Sequence, residues 1–372
     1  MLCAKMEMLM KDRIEKVRWL LEAGDVDAIL VSGPYNRRYL TGFRAMESTL
    51  GESAGHALVT RNNAYLFTNL LHSEQAKIET SDVEVVTYQS EPYECVATVL
   101  QGDEVKKLGF EGDAMAVRDY LALSKAMDHE VELIDMQTAL APLRAVKDED
   151  ELAKIRRAVE VADAAFNYVS ARLVDGITER DVAWVLEKYM RDKGAEGVAF
   201  DTIVASGPNG ALPHAIPGDR VIEEGEAIVI DMGATVEGYR SDLTRTLCLG
   251  TPDARFRSIY DIVLKANLAA EAQIRAGQTG MEADGIARKI IDEAGYGAEF
   301  YHSLGHGVGL AVHESPTLRK KCETVLEENM VVTIEPGIYI PGWGGVRIED
   351  TVIIKADGVE VLTKAPKEVT PG

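Results

Sequence analysis

The stretch that decides the fold runs from Val229 to Thr246 and reads VIDMGATVEGYRSDLTRT. Its opening residues end a β-type run (IVID), GATVEG supplies turn residues, and YRSDLTRTLCL resumes an extended pattern. In that pattern Asp242, Thr244 and Thr246 share one face by period-two alternation. Asp231 and Asp242 can therefore meet across a hairpin. A carboxylate set among apolar strand residues either pairs or takes up a proton, so two on adjoining strands call for a cation.

Working outward, four further segments carry the same character: PHAIPG (Pro213–Gly218), YHSLGHGVGLAVHES (Tyr301–Ser315), TIEPGIY (Thr333–Tyr339) and GVRIEDT (Gly345–Thr351). Arg347, Glu349 and Thr351 share one strand face while Val346, Ile348 and Val352 take the other, so Asp350 is not expected beside Glu349. Glu335 follows the apolar run MVVTI and precedes Pro336-Gly337, which exposes a carboxylate at the tip of a buried strand. Asp231, Asp242, Glu335 and Glu349 bring four negative charges. Two divalent metals match them, where one arginine falls short. His306, between Gly305 and Gly307, is the natural nitrogen ligand, and an oxygen-rich set with one imidazole and no thiolate suits Mn, Co or Zn. Taken singly these features have ordinary readings: a strand-ending cap, a loop histidine, a solvated Arg-x-Glu edge. Five of them in one domain favour the metal.

The rest of the chain sets the frame. The first 142 residues alternate short strands (Asp27–Val31, His56–Val59, Tyr65–Phe67) with helical patterns (Leu71–Glu79, Val96–Glu104, Ala116–Met127). A leading amphipathic helix carries Val17, Leu20 and Leu21 and is capped by Gly24. This predicts a small α/β domain over residues 1–142, with no clustering of catalytic-type residues. Residues 143–372 read as an α+β domain, with helices over Asp148–Leu173, Thr178–Lys193, Pro252–Ala276 and Met281–Ala294 between strand hairpins. With 372 residues and a net charge of −21, the chain is large enough for two cores and repels nucleic acid and anionic membranes. The four cysteines form no CxxC, which fits a reducing cytoplasm. Charges interrupt the N-terminal residues before any secretory apolar run forms, so Met1 is expected to begin the mature protein.

The five segments resemble those of the superfamily that contains proline dipeptidase, aminopeptidase P, creatinase and methionine aminopeptidase. NRRYLTGF (Asn36–Phe43) resembles the N-terminal motif of the prolidase and aminopeptidase P branch. The resemblance implies a creatinase-like N-terminal domain followed by a pita-bread catalytic domain. It implies a dinuclear site held by Asp231, Asp242, His306, Glu335 and Glu349, with Asp242 and Glu349 bridging two divalent ions, Mn2+ before Co2+ or Zn2+. His214, His302, His313 and Arg347 match positions behind the ligands and around the substrate. The activity implied is hydrolysis of the Xaa-Pro bond in short peptides, as a dipeptidase or an aminopeptidase. Glu335 would collect the proton of the attacking water, His313 or His302 would stabilise the oxyanion, and His214 would wall the proline ring. A homodimer is implied as well. Two alternatives are a metal-free creatinase-like C–N hydrolase, which the full ligand set disfavours, and a catalytically silent peptide-binding module. Prolidases follow VHE-x-P with a carboxylate-gripping arginine. Here Thr317 stands in that place, with Arg319 two residues on, which favours an aminopeptidase accepting Xaa-Pro-Yaa.

Overall fold

A computed structural model describes residues 2–47, 49, 52–127 and 130–368, and the chain divides into two units, Met1–Arg144 and Ala145–Gly372. The first unit contains α1 (Leu2–Ala23), β1 (Ala28–Val31), α2 (Pro34–Thr41), β2 (His56–Thr60), β3 (Ala64–Asn69), α3 (Ser73–Glu79), β4 (Glu84–Tyr88), α4 (Pro92–Gly102), β5 (Lys107–Phe110), α5 (Val117–Ala126), β6 (Glu132–Asp135) and α6 (Ala141–Ala145). Its six strands form one mixed sheet in the order β4-β3-β2-β1-β5-β6. Leu30, Leu58 and Phe67 from the sheet pack with Val96 and Leu100 of α4 and Leu123 of α5 in one apolar cluster.

Sequence expectation and structure part at several points here. Ser32-Gly33-Pro34 does end β1, but Pro34 also opens α2, because its fixed φ and missing N–H suit the first helical turn. Pro92 likewise starts α4 before the expected Val96. Gly24 does follow the last residue of α1 and donates its N–H to the Leu20 carbonyl, as a C-cap does, while the left-handed turn falls on Asp25, at φ 52°. Polar residues also gather in this unit. Arg37, fully buried, pairs with Glu47, and Glu111 accepts from the Ser32 and Gly33 amides and the Asn36 side chain.

The second unit runs α7 (Glu149–Ser170), α8 (Glu179–Asp192), β7 (Gly197–Val198), β8 (Ile203–Ser206), β9 (Ala227–Met232), β10 (Ala234–Val236), β11 (Tyr239–Arg240), β12 (Leu243–Cys248), α9 (Ala254–Gln273), α10 (Gly280–Glu293), β13 (Gly305–Gly307), β14 (Glu314–Leu318), β15 (Val331–Ile334), β16 (Gly337–Ile340), β17 (Gly344–Arg347), β18 (Asp350–Lys355) and β19 (Gly358–Val361). Asp148, Thr178 and Thr279 each cap a helix through a reciprocal bond with an acidic residue three positions on, a motif that contributes about 1 kcal/mol per helix. α9 is shorter than the expected Pro252–Ala276, because the Asp253 side chain caps it at the start and Ile274 turns extended at its end.

Two apolar clusters show how the sheets are covered. Ile228, Ile230 and Met232 of β9 and Leu243 and Leu247 of β12 pack with α7 and α8. Val332 and Ile334 of β15, Val346 of β17, Ile348, and Val352 and Ile354 of β18 pack with α9 and α10. Alternation then fixes the rest: Asp231, Asp242, Glu335, Arg347 and Glu349 all belong to the face turned away from the helices. An isolated bridge between Thr244 and Glu349 brings β12 and the β17–β18 connection together at that face.

Candidate metal centre

The antiparallel pairing of β9 with β12 sets Asp231 opposite Thr244, with Asp242 one residue before β12. His306 sits in the middle of β13, opposite Thr317 of β14. The glycines on either side are required by close backbone approach: a Cβ at Gly305 would lie 1.9 Å from the Thr333 carbonyl oxygen, and one at Gly307 would lie 2.3 Å from that of Ser315. His306 Nε2 is thereby held 3.6 Å from Asp242 Oδ2 and 3.3 Å from Glu335 Oε1. Asp242, His306 and Glu349 each present a ligand atom within 4.8 Å of the other two.

The polar atoms around this cluster fit a cation. His306 Nδ1 lies 3.1 Å from the Gly307 carbonyl, to which only an N–H can donate, so Nε2 is the nitrogen turned toward the two carboxylates. Without a cation, and against burial, Glu335 holds the imidazole above its ordinary pKa, and once deprotonated Nε2 offers a lone pair for a metal. Asp231 Oδ1 is buried and has no hydrogen-bond partner among the described residues. Burial pushes the Asp242 and Glu349 carboxyls well above the usual range. Neighbouring carboxylates, Glu349 and Asp231 around Asp242 and Glu335 and Asp231 around Glu349, push them further. Glu335 goes the other way: against its burial, the His306 imidazole pulls it down to about 2. A cation among these groups satisfies the lone pair, the unpartnered oxygen and the excess charge together.

The supporting contacts run in one direction. Arg347, 3% exposed, donates through Nη2 to Asp231 Oδ2 at 2.6 Å, through Nε to Thr244 Oγ1 at 3.0 Å and through Nη1 to Tyr339 Oη at 2.8 Å. Tyr339 Oη in turn lies 3.0 Å from His302 Nε2, while His302 Nδ1 lies 2.7 Å from the Ser303 carbonyl. The carbonyl can only accept, so Nδ1 carries the proton and Nε2 accepts from the phenol. Burial, opposed by Glu335 and aided by Arg347, keeps this imidazole below its ordinary pKa and therefore neutral. Thr244 Oγ1 donates to Glu349 Oε2 at 2.6 Å, and Thr333 Oγ1 donates to Glu335 Oε1 at 3.1 Å.

His313 is exposed, with its ring edge-on to His306 at a centroid distance of 4.3 Å. Burial and then the His306 charge hold it below its ordinary pKa, and His214, exposed on the loop before Ala215, acts in the same direction. The ligand candidates thus lie around one locus with His302, His313 and Arg347 about them. Arg347 makes its bonds to Asp231, Thr244 and Tyr339. Asp350 lies on the helix side of the sheet, where its carboxylate meets Arg245 at 2.7 Å and Lys367 at 2.8 Å. Sequence reasoning passed over Tyr339 and Thr333. Both were within reach of the alternation rule, since residues 333, 335, 337 and 339 share parity with Glu335.

Comparison with known proteins places this geometry. Residues 153–356 match metallopeptidase family M24, and residues 13–146 match the creatinase/prolidase N-terminal domain. The chain is 41% identical over 360 residues to the Xaa-Pro dipeptidase of Pyrococcus furiosus, covering 97% of this chain and 100% of that one. Among solved structures it resembles the Xaa-Pro dipeptidase from Bacillus anthracis, with a TM-score of 0.92 and 40% identity over 97% of this chain and 99% of the other. It also resembles the X-Pro aminopeptidase from Thermotoga maritima, with a TM-score of 0.84 and 38% identity over 93% and 97%.

Proposed function

The chain belongs to metallopeptidase family M24 and carries the N-terminal domain of creatinases and prolidases, and from that premise we propose that it hydrolyses the bond ahead of proline in short peptides, using two divalent metal ions. One observation supports this above the others: the ligand atoms of Asp242, His306 and Glu349 converge within 4.8 Å beside the unpartnered Asp231 Oδ1. Asp231, Asp242, His306, Glu335 and Glu349 would hold the ions, with Asp242 and Glu349 shared between them. The donor chemistry suits Mn2+, with Co2+ or Zn2+ as alternatives. When bound, such ions acidify water and polarise a carbonyl.

The protein's own groups do the rest. Glu335, one carboxylate oxygen bonded to Thr333 and the same edge near His306, accepts the proton of the attacking water and returns it to the leaving nitrogen. Of the two histidines considered for the oxyanion, His302 has both nitrogens engaged, one on Ser303 and one on Tyr339. His313 is exposed beside His306 and takes the role. His214, exposed in its proline-flanked loop, would wall the substrate's proline ring, and Arg347 would act through Asp231. A complete acidic face also separates this reading from a metal-free C–N hydrolase. The reading extends to a cytoplasmic location, which the free thiols Cys95, Cys248 and Cys322 favour, and, on the family resemblance alone, to a homodimer; no helix among the described residues is long and apolar enough to cross a membrane.

The test is to load the chelated protein with Mn2+, Co2+ or Zn2+, count bound metal, and follow Ala-Pro, Gly-Pro, Ala-Pro-Ala and Ala-Ala. Cleavage confined to the proline peptides, with two metals per chain, is the expected result. Turnover of Ala-Ala at the same rate, or full turnover without metal, overturns the reading.

A further inference from the structure

None of these roles uses the depression that His302 borders in the second unit. The chain leaves β14 as Arg319-Lys320-Lys321. These three side chains line a space of about 580 Å³ with Tyr301, His302 and Arg288, and no carboxylate contributes to its wall. Arg288 is already spent: its guanidinium pairs with both oxygens of Asp284, at 2.6 and 2.8 Å, and donates to the Phe300 and His302 carbonyls. The other three cations are different. All are exposed, and among the described residues their side chains enter no ion pair or hydrogen bond.

Three adjacent cations repel one another, and in a chain of net charge −21 they form a local exception to a surface that repels acidic peptides. The wall residue through which they connect to the metal centre is one imidazole. His302 lines the depression and at the same time bonds Tyr339, which is tied through Arg347 to Asp231. The depression is thus coupled to the metal centre through a chain of hydrogen bonds. Its volume is in the range that holds a ligand of several residues' bulk, more than a prolyl carboxylate alone requires. Arg319 supplies a planar fork for a carboxylate, and the two lysines add point charge.

We infer that this depression is an anion subsite that takes a carboxylate lying at least one residue beyond proline, so that the enzyme favours peptides whose leaving part is acidic. The inference rests on the Xaa-Pro reading above and names its preferred substrates. The carboxylate has two sources, an acidic side chain or the peptide's own C-terminus.

The metal-loaded enzyme separates them with Ala-Pro-Glu-NH2, Ala-Pro-Gln (free C-terminus) and Ala-Pro-Gln-NH2. Either charged peptide is expected to exceed the neutral one in kcat/KM by about tenfold at low salt, as a screened charge contact of this kind gives. An advantage confined to the first peptide assigns the side chain, and one confined to the second assigns the C-terminus. R319Q/K320Q/K321Q should abolish the advantage and leave Ala-Pro-Gln-NH2 unchanged. Equal constants for all three peptides in the unaltered enzyme, or an advantage that survives the triple substitution, overturns the subsite. Calorimetric binding of Pro-Glu and Pro-Gln-NH2 to the metal-loaded protein needs no turnover. If no Xaa-Pro bond is cleaved, the functional reading falls, and tighter binding of Pro-Glu, lost in the triple variant, still supports the anion subsite. Equal binding of the two overturns it.

Discussion

Arg347 and Asp231 lie on different strands and meet at 2.6 Å, Nη2 to Oδ2, in a way that leaves the second carboxylate oxygen buried and free for another partner. The arginine holds one edge of the Asp231 carboxylate and leaves Oδ1 without a partner among the described residues. Arg347→Gln removes that bond and the one to Tyr339, and groups of this kind typically account for 10- to 100-fold in metal affinity or activity. Metal titration of the variant should show weaker binding in that range. Unchanged affinity and turnover would mean that Asp231 is positioned without Arg347.

His306 and its two neighbours should separate cleanly. His306→Ala deletes a nitrogen 3.3 Å from Glu335 and should lower bound metal along with activity. His313→Ala should retain metal and lose about 100-fold or more in kcat, the usual contribution of a positioned donor. His302→Ala removes the acceptor of the Tyr339 hydroxyl and should also retain metal. Elemental analysis of the three purified variants decides this, and equal metal loss in all three means the ligand is misassigned.

How much of this was readable in the sequence follows from period-two alternation. Asp231, Asp242, Glu335 and Glu349 could be grouped because each interrupts an apolar strand whose other residues face α7–α8 or α9–α10, and alternation alone sends them to the opposite face. It also separated Asp350 from Glu349, although its partner Arg245 could not be named, since that pair joins residues 105 positions apart across the sheet. Tyr339 stayed hidden for a different reason: aromatic residues in strands are ordinarily core, and only its hydroxyl between Arg347 and His302 gives it a role. In the first unit, Ser32-Gly33-Pro34 carried a stop and a start in the same residues, and propensity reads such a signal only once.

Removing the metal should destabilise the protein, and increasingly so as pH rises. Without a cation, burial and mutual repulsion raise the Asp242 and Glu349 carboxyls well above their ordinary values. A group whose folded-state pKa is raised contributes stability that is fully present below the unfolded value, about 4, and lost as pH rises through the folded value. The chelated protein should therefore lose melting temperature from the ordinary carboxylate range upward while the loaded protein does not. With free metal at 100 times its Kd, the loaded form gains about 2.7 kcal/mol. Glu335, lowered to about 2, acts in the opposite sense, and only below the ordinary carboxylate range. Melting curves with and without chelator between pH 5 and 8 provide the measurement, and parallel curves would remove the charge argument.

Asp242→Asn isolates the ligand proposed to be shared between the ions from the fold around it. The side chain keeps its shape but loses its charge and one coordination mode, while β12 and its pairing with β9 are untouched. Activity should vanish, and bound metal should fall below two per chain, with the urea midpoint of the metal-free protein unchanged or higher, because one of the repelling buried carboxylates is gone. A variant with full turnover and two metals would show that Asp242 is not shared between the ions.

The last expectation concerns peptide length. Thr317 pairs with His306 across β13 and β14, at the position where the resemblance to prolidases implies an arginine for the dipeptide's carboxylate. A threonine offers no charge there. A carboxylate directly on the scissile proline needs a cation close by, whereas in Xaa-Pro-Yaa that position holds a neutral amide. Ala-Pro-Ala should therefore have the higher specificity constant. Thr317→Arg should raise the constant for Ala-Pro relative to Ala-Pro-Ala by about tenfold, the scale of one charge-assisted contact. A strong preference of the unaltered enzyme for Ala-Pro would show that another cation reaches the proline carboxylate. R319Q alone would then identify it: loss of the dipeptide preference assigns that contact to Arg319, and its survival moves the search to other residues around the metal centre.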